Sequence, residues 1–167
     1  MVKITVTHEI DCDADTFWKT FFDERFNKAL YLDHLGFSEH RIVEKRETDT
    51  QVTWKVSAKP KLSLPGPVAK LIGDNFRYTE EGTLDRASGT WRFKVIPSVQ
   101  ADKVRTEGVM RVEAAASGKV RRVCEFTVEA KIFGVGGLME SSAEKQLRDG
   151  WDNSAAFMNK FLASAAK

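Results

Sequence analysis

Lys131-Ile132-Phe133-Gly134-Val135-Gly136-Gly137-Leu138-Met139-Glu140 is where this chain changes period. Ahead of it, apolar residues alternate with polar ones, the two-residue repeat of strands with one buried face. Behind it, Met139, Ala143, Leu147, Trp151, Ser154, Met158 and Phe161 follow one another at steps of three or four, the repeat of one helical face. The spacing predicts a helix over 138–162 of roughly 25 residues, nearly 40 Å long at about 1.5 Å per residue. The glycines between the two regimes read as a tight strand-to-helix turn. A phosphate-binding loop needs Gly-Lys-Ser/Thr next, and Leu138 and Met139 stand there instead. Glu140, in the first helical turn, is accounted for by capping and the helix dipole.

Working back from that point, strands are expected over Arg122 to Ile132, Val104 to Val112, Trp91 to Val95 and Phe76 to Leu84. Asp85 to Gly89, Pro97-Ser98 and Ser117-Gly118 separate them, and connections this short force antiparallel neighbours. Further back, Val52, Trp54, Val56 and Ala58 alternate with Thr53, Lys55, Ser57 and Lys59 in a clear strand. A weaker one runs over Glu39 to Glu47, joined to it by a polar turn at Thr48-Asp49-Thr50. Pro60, Pro65 and Pro67 break the pattern, and Val68, Leu71 and Ile72 then give one or two helical turns closed by Gly73. At the start, Val2, Ile4 and Val6 alternate. Asp11 to Asp15 offer helix caps ahead of the aromatic stripe Phe17, Trp18, Phe21 and Phe22, and Phe26, Ala29, Leu30 and Leu32 continue helically until Gly36.

The class is therefore α+β: about seven antiparallel strands curved around a long C-terminal helix, with two short helices after strand 1, all in one domain spanning 1–167. A twisted sheet that curls around one helix encloses more volume than the side chains of that helix can fill. An apolar cavity between sheet and helix is the expected result, and a hydrophobic small molecule its expected occupant.

Composition narrows the alternatives. Of 167 residues, 26 are basic and 24 acidic, a net charge of +2 with the two signs mixed along the chain, which gives nucleic acid no basic tract to bind. No run approaches the roughly eighteen unbroken apolar residues of a membrane span. The alternating start does not resemble a secretory signal, so a cytoplasmic setting is expected. Cys12 and Cys124 are too few for a disulfide framework and are read as reduced, buried thiols. His8, His34 and His40 lack HExxH-like spacing, no serine sits in a GxSxG motif, and neither metal nor cofactor is expected.

Three stretches carry a family resemblance: His8-Glu9-Ile10 through Thr16-Phe17-Trp18, Leu64-Pro65-Gly66-Pro67-Val68-Ala69-Lys70-Leu71-Ile72-Gly73, and the segment from Lys131 to Glu140. With the order of elements, they make the chain similar over essentially its whole length to the START-like, or SRPBCC, superfamily, whose helix-grip fold is shared with birch pollen allergen. Within it the chain most resembles an uncharacterised bacterial family with distant similarity to the sterol-binding VASt domains. That branch reads Gly-Gly, two residues and Glu at the helix start, as Gly136 to Glu140 do here; its usual preceding proline is replaced by Phe133 or Gly134. The resemblance implies a pocket for a lipid, sterol or other apolar ligand and assigns no catalytic residue.

The expected lining follows from parity. From the strands it takes Trp54, Val56, Phe76, Tyr78, Trp91, Phe93, Met110, Arg122, Cys124 and Phe126, and from the helix Met139, Ala143, Leu147 and Trp151. Leu64, Val68 and Leu71 come from the proline-rich segment. Arg122 is read either as holding a polar ligand group or as snorkelling at the strand end. Only one of Glu80 and Glu81 can face inward, where it would serve as an acid or base with a raised pKa, and solvent exposure at a strand edge is the commoner outcome. Segment 61–72, with Lys59, Lys61 and Lys70 around its apolar residues, fits a lid better than a transient membrane contact, since it offers little area to a bilayer. A carrier of a hydrophobic molecule is the first functional reading. A polyketide cyclase or dehydratase using the same cavity is the second, and a protein-interaction module with a filled interior, like related Hsp90 activators, the third.

Overall fold

Alternation of apolar and polar residues becomes seven strands: β1 (Val2–Ile10), β2 (Glu39–Glu47), β3 (Gln51–Lys59), β4 (Tyr78–Asp85), β5 (Thr90–Pro97), β6 (Val104–Ala114) and β7 (Val120–Ala130). They form one antiparallel sheet in the order β1-β7-β6-β5-β4-β3-β2 in this computed structural model, which describes residues 1–166. Strands β2 to β7 are a meander, and β1 returns to pair with β7, Val2 opposite Val128 and Ile10 opposite Val120. The first strand runs past Val6 to Ile10, because Ile4, Val6 and Ile10 keep one buried parity throughout.

Strand β2 explains its own weak signal. It lies at the sheet edge, most of its residues are exposed, and its register slips between Ile42 and Glu44. The bulge leaves Val43 unpaired and 52% exposed, which erases the alternation.

Helix α1 (Ala14–Phe21) begins where the Asp13 side chain accepts a hydrogen bond from the Thr16 amide at 2.8 Å. Helix α2 (Glu24–Lys28) is capped likewise by Asp23 and runs into a π-helical stretch, Ala29–His34, ahead of Gly36 at φ 73°. The proline-rich segment folds as α3 (Gly66–Ile72), closed by Gly73 at φ 72°. Helix α4 (Gly136–Ala165) has 30 residues, so it spans about 45 Å. It packs chiefly against β1 and β7, one side of the curved sheet. Among the described residues, no helix is long and apolar enough to cross a membrane.

The aromatic stripe of α1 fills one end of the sheet. Phe21 and Phe22 lie 5.2 and 5.1 Å from the Trp54 ring, and Trp54 lies edge-on to Trp91 at 5.6 Å. Room for these rings comes from Gly82, whose inward-facing position lies under Trp91. A Cβ there would come within 2.0 Å of the indole. The other end of the sheet has no such plug, and there the interior stays open.

Candidate functional site

Between α4, the π-helical stretch, the α3 segment and the open end of the sheet lies a cavity of about 450 Å³. Size and composition suit a small organic molecule, since such sites fall at roughly 300–1,000 Å³ and are mainly apolar. Met139, Ala143, Leu147 and Trp151 line it from α4 at steps of four, the same face the sequence periodicity defines. Phe76, Tyr78 and Phe93 contribute from β4, β5 and the approach to them, and Leu64 and Val68 from the α3 segment. With Arg122, ten of the residues expected at the wall are brought together.

The other expected residues sit elsewhere, each for a packing reason. Trp54 and Trp91 are buried beneath the phenylalanines of α1, so they belong to the plug. Val56, Met110 and Cys124 face the same interior but are fully covered by neighbouring side chains. Phe126 lies behind Trp151, with ring centroids 5.6 Å apart. Leu71 is on the flank of α3. Val68 and Ile72, four residues apart, point inward instead, and Ile72 takes the place expected for Leu71.

Several wall residues escape the sequence reading. Leu30, Tyr31 and Leu35 come from the π-helical stretch and its end, and Phe37 follows. Their apolar spacing reads as ordinary helix core, and only the aromatic pair Tyr31 and Phe37 flanking Gly36 marks them. Tyr31 stacks on His40 at 3.9 Å and touches Phe37 at 5.2 Å, and Phe37 meets Tyr78 edge-on at 6.5 Å, which makes a continuous aromatic wall.

Glu80 takes the inward place open to one of the pair rather than the commoner exposed one. It shares the inward parity of Tyr78 and lines the cavity, while Glu81 faces out to Lys55 and Lys94. Among the described residues its one hydrogen-bond partner is the Trp54 indole N–H, which donates to Oε1 at 3.3 Å. Burial in this apolar enclosure pushes its carboxyl from the usual 4.5 up to about 7, with the indole hydrogen bond opposing the shift. Burial likewise raises the Tyr31 and Tyr78 phenols, and the nearby Glu80 adds to both.

Arg122 neither snorkels nor holds its guanidinium free, for it is only 3% exposed. It donates to the Ser154 hydroxyl at 3.1 Å, to the Trp151 carbonyl at 2.8 Å and to His8 Nδ1 at 3.1 Å, and it lies over the Trp151 ring at 4.7 Å. Since Nδ1 accepts, the His8 proton belongs on Nε2, which donates to Asp152 at 2.6 Å. Burial lowers the guanidinium to about 10, still protonated at neutral pH. Arg122 thus ties β7 to α4, and only its Nε, among the described residues' buried side-chain nitrogens and oxygens, has no hydrogen-bond partner.

Glu140 also departs from its expected role: its carboxylate accepts from the backbone N–H of Ala130 at 2.9 Å, holding the end of β7 rather than capping α4. Also in the lining, the Gln146 amide donates to the Ser63 carbonyl at 2.9 Å and straps the segment leading into α3 to α4. A second concavity, on the outer face of the sheet among Glu44, Arg46, Lys55, Arg92 and Lys94, is open to water and charged. No group of three or more His, Cys, Asp or Glu among the described residues could hold a metal.

A long helix gripped by a seven-stranded antiparallel sheet, two short helices after the first strand and an apolar interior define the START-like, SRPBCC class of fold. Solved structures carry the same fold at low sequence identity. The Thermus thermophilus protein TTHA0849 is 17% identical with TM-score 0.68, over 99% of this chain and 100% of that one. The Zhui aromatase/cyclase from Streptomyces sp. R1128 is 17% identical with TM-score 0.57, over 99% and 93%. A START superfamily protein from Mycobacterium smegmatis is 13% identical with TM-score 0.59, over 98% of each chain. No curated protein matches by sequence. The chain belongs to the family described as a protein of unknown function, DUF2505, whose model matches residues 5–162.

Proposed function

We propose that this chain is a single ligand-binding domain whose work is to hold, and to carry, an apolar small molecule between the sheet and α4. The observation that supports this most directly is the cavity of about 450 Å³ with its wall of Phe, Tyr, Trp, Leu and Met side chains. Burial of ligand surface at about 25 cal/mol per Å² drives binding, and the aromatic wall adds shape without a covalent step. An interaction module would need a filled interior instead. Leu64, Val68 and Ile72 turn into the cavity, which favours a lid over a bilayer-contacting face for the α3 segment.

Native mass spectrometry of the purified protein, together with titration by the neutral apolar dye Nile red, tests the reading. A lipid-like mass released on denaturation, or dye binding that Val68→Asp weakens, supports a carrier. The absence of both a bound mass and dye binding by folded protein abandons it.

One observation favours a second reading. Glu80, Tyr31 and Tyr78 converge on one part of the cavity, with a carboxyl titrating near neutrality, as general acid–base chemistry requires. An enzyme acting on a polyketide-like substrate in this space would lose turnover on Glu80→Gln while keeping its substrate affinity. A pure carrier shows no turnover to lose.

A further inference from the structure

Glu80 is an uncompensated carboxylate in a greasy room. Among the described residues its oxygens have one donor, the Trp54 indole N–H at a long 3.3 Å. Among the described residues no Lys, Arg or His forms an ion pair with it, although its neighbour Glu81 has Lys55 and Lys94. Arg122, the buried cation of the interior, spends its terminal nitrogens on Ser154, Trp151 and His8 and covers its face with Trp151. A buried charge without a partner is costly, and a ligand that brings the missing partner recovers that cost on binding. The aromatic rings of Tyr31, Tyr78 and Phe37 stand around the same part of the wall, and such faces attract cations as well as hydrocarbon.

Resting on the apolar-carrier reading, we infer that the ligand is a lipophilic amine, its ammonium group seated on the Glu80 carboxylate within the Tyr31–Phe37–Tyr78 wall and its apolar body running toward Met139 and Leu147. An anionic head is disfavoured on the same geometry. It would meet Glu80 inside the cavity, where Arg122 is 3% exposed with its terminal nitrogens already taken, and the other cation of the lining, Lys61, is an exposed side chain of the proline-rich segment.

Decylamine, decanol and decanoic acid separate the possibilities because they share one chain and differ in head group. Each displaces Nile red from the protein at pH 8, where the amine is protonated and Glu80 ionised. The expected order is amine, then alcohol, then acid, with the amine bound about tenfold or more tighter than the alcohol, as a charge-assisted hydrogen bond supplies. In Glu80→Gln the amine-to-alcohol ratio should fall to about one. Damage to the cavity as a whole weakens both ligands and leaves that ratio intact. An alcohol or acid that binds as well as the amine, or a preference that survives Glu80→Gln, overturns the amine assignment and spares the carrier. Failure of Nile red and all three compounds to bind overturns both.

Discussion

Replacing Glu80 by Gln removes one ionisable group and keeps an oxygen for the Trp54 indole, so it isolates the cost of a carboxylate in the cavity. The native carboxyl titrates at about 7 against an ordinary 4.5. At about 1.4 kcal/mol per pH unit, that difference amounts to about 3 kcal/mol. The sign follows from the direction of the shift. A folded-state value above the unfolded one means that folding takes up a proton, so the contribution to stability is complete below pH 4.5 and is lost as pH rises through 7. The native protein should therefore weaken between pH 4.5 and pH 8 relative to Glu80→Gln, in which this site no longer titrates. Urea unfolding followed by tryptophan fluorescence reads the effect: the gap between the two midpoints should change by roughly 1–3 M urea across that range, given slopes of about 1–3 kcal/mol per M. Comparing the variant with the native protein at each pH cancels the titration of every other group. A gap that stays constant from pH 4.5 to pH 8 refutes the placement of Glu80 in an apolar enclosure.

Gly82→Ala should destabilise the protein by about 1–3 kcal/mol in the same urea assay, because the new methyl falls on the buried Trp91 ring; near-neutral behaviour would mean that the ring has room to move. Gly150 lines the cavity from α4, and a Cβ there meets nothing within 4 Å. Gly150→Ala should raise thermal stability by up to about 1 kcal/mol through helix propensity, while Gly150→Trp should slow Nile red entry measured by stopped flow; unchanged kinetics would place the entrance elsewhere. Burial raises both thiols, Cys12 to about 11 and Cys124 further, so native protein should resist Ellman's reagent at pH 8 and react fully only in denaturant. Rapid labelling of the native protein would contradict the burial of both.

Much of the fold could be read along the chain because two periods, two and 3.6, are cleanly separated at Gly134. The α4 face that lines the cavity is the face its spacing defines. What periodicity could not tell apart is a wall from a core. Trp54, Trp91 and Met110 share the inward parity of Tyr78 and Phe93, yet the α1 phenylalanines cover one set and leave the other bare. That distinction depends on where α1 crosses the sheet, which no local pattern records. Glu80 was legible in principle, since it shares parity with Tyr78; the general preference of carboxylates for water pointed the other way. The wall supplied by Tyr31 and Phe37 was hidden because a π-helical stretch displaces side chains from the positions an α-helical count assigns.

The bulged edge at β2 bears on how the molecule behaves when crowded. An unpaired strand border is a template on which another chain can build, and long flat borders invite fibrous growth. Here the ladder is interrupted at Val43, and Glu44, Lys45, Arg46 and Glu47 follow in succession, so an incoming strand meets a kinked backbone and a hedge of hydrated charges. Concentrated preparations should accordingly stay clear of sheet-to-sheet stacking, and straightening this border by deleting Val43 is the change most apt to make them gel.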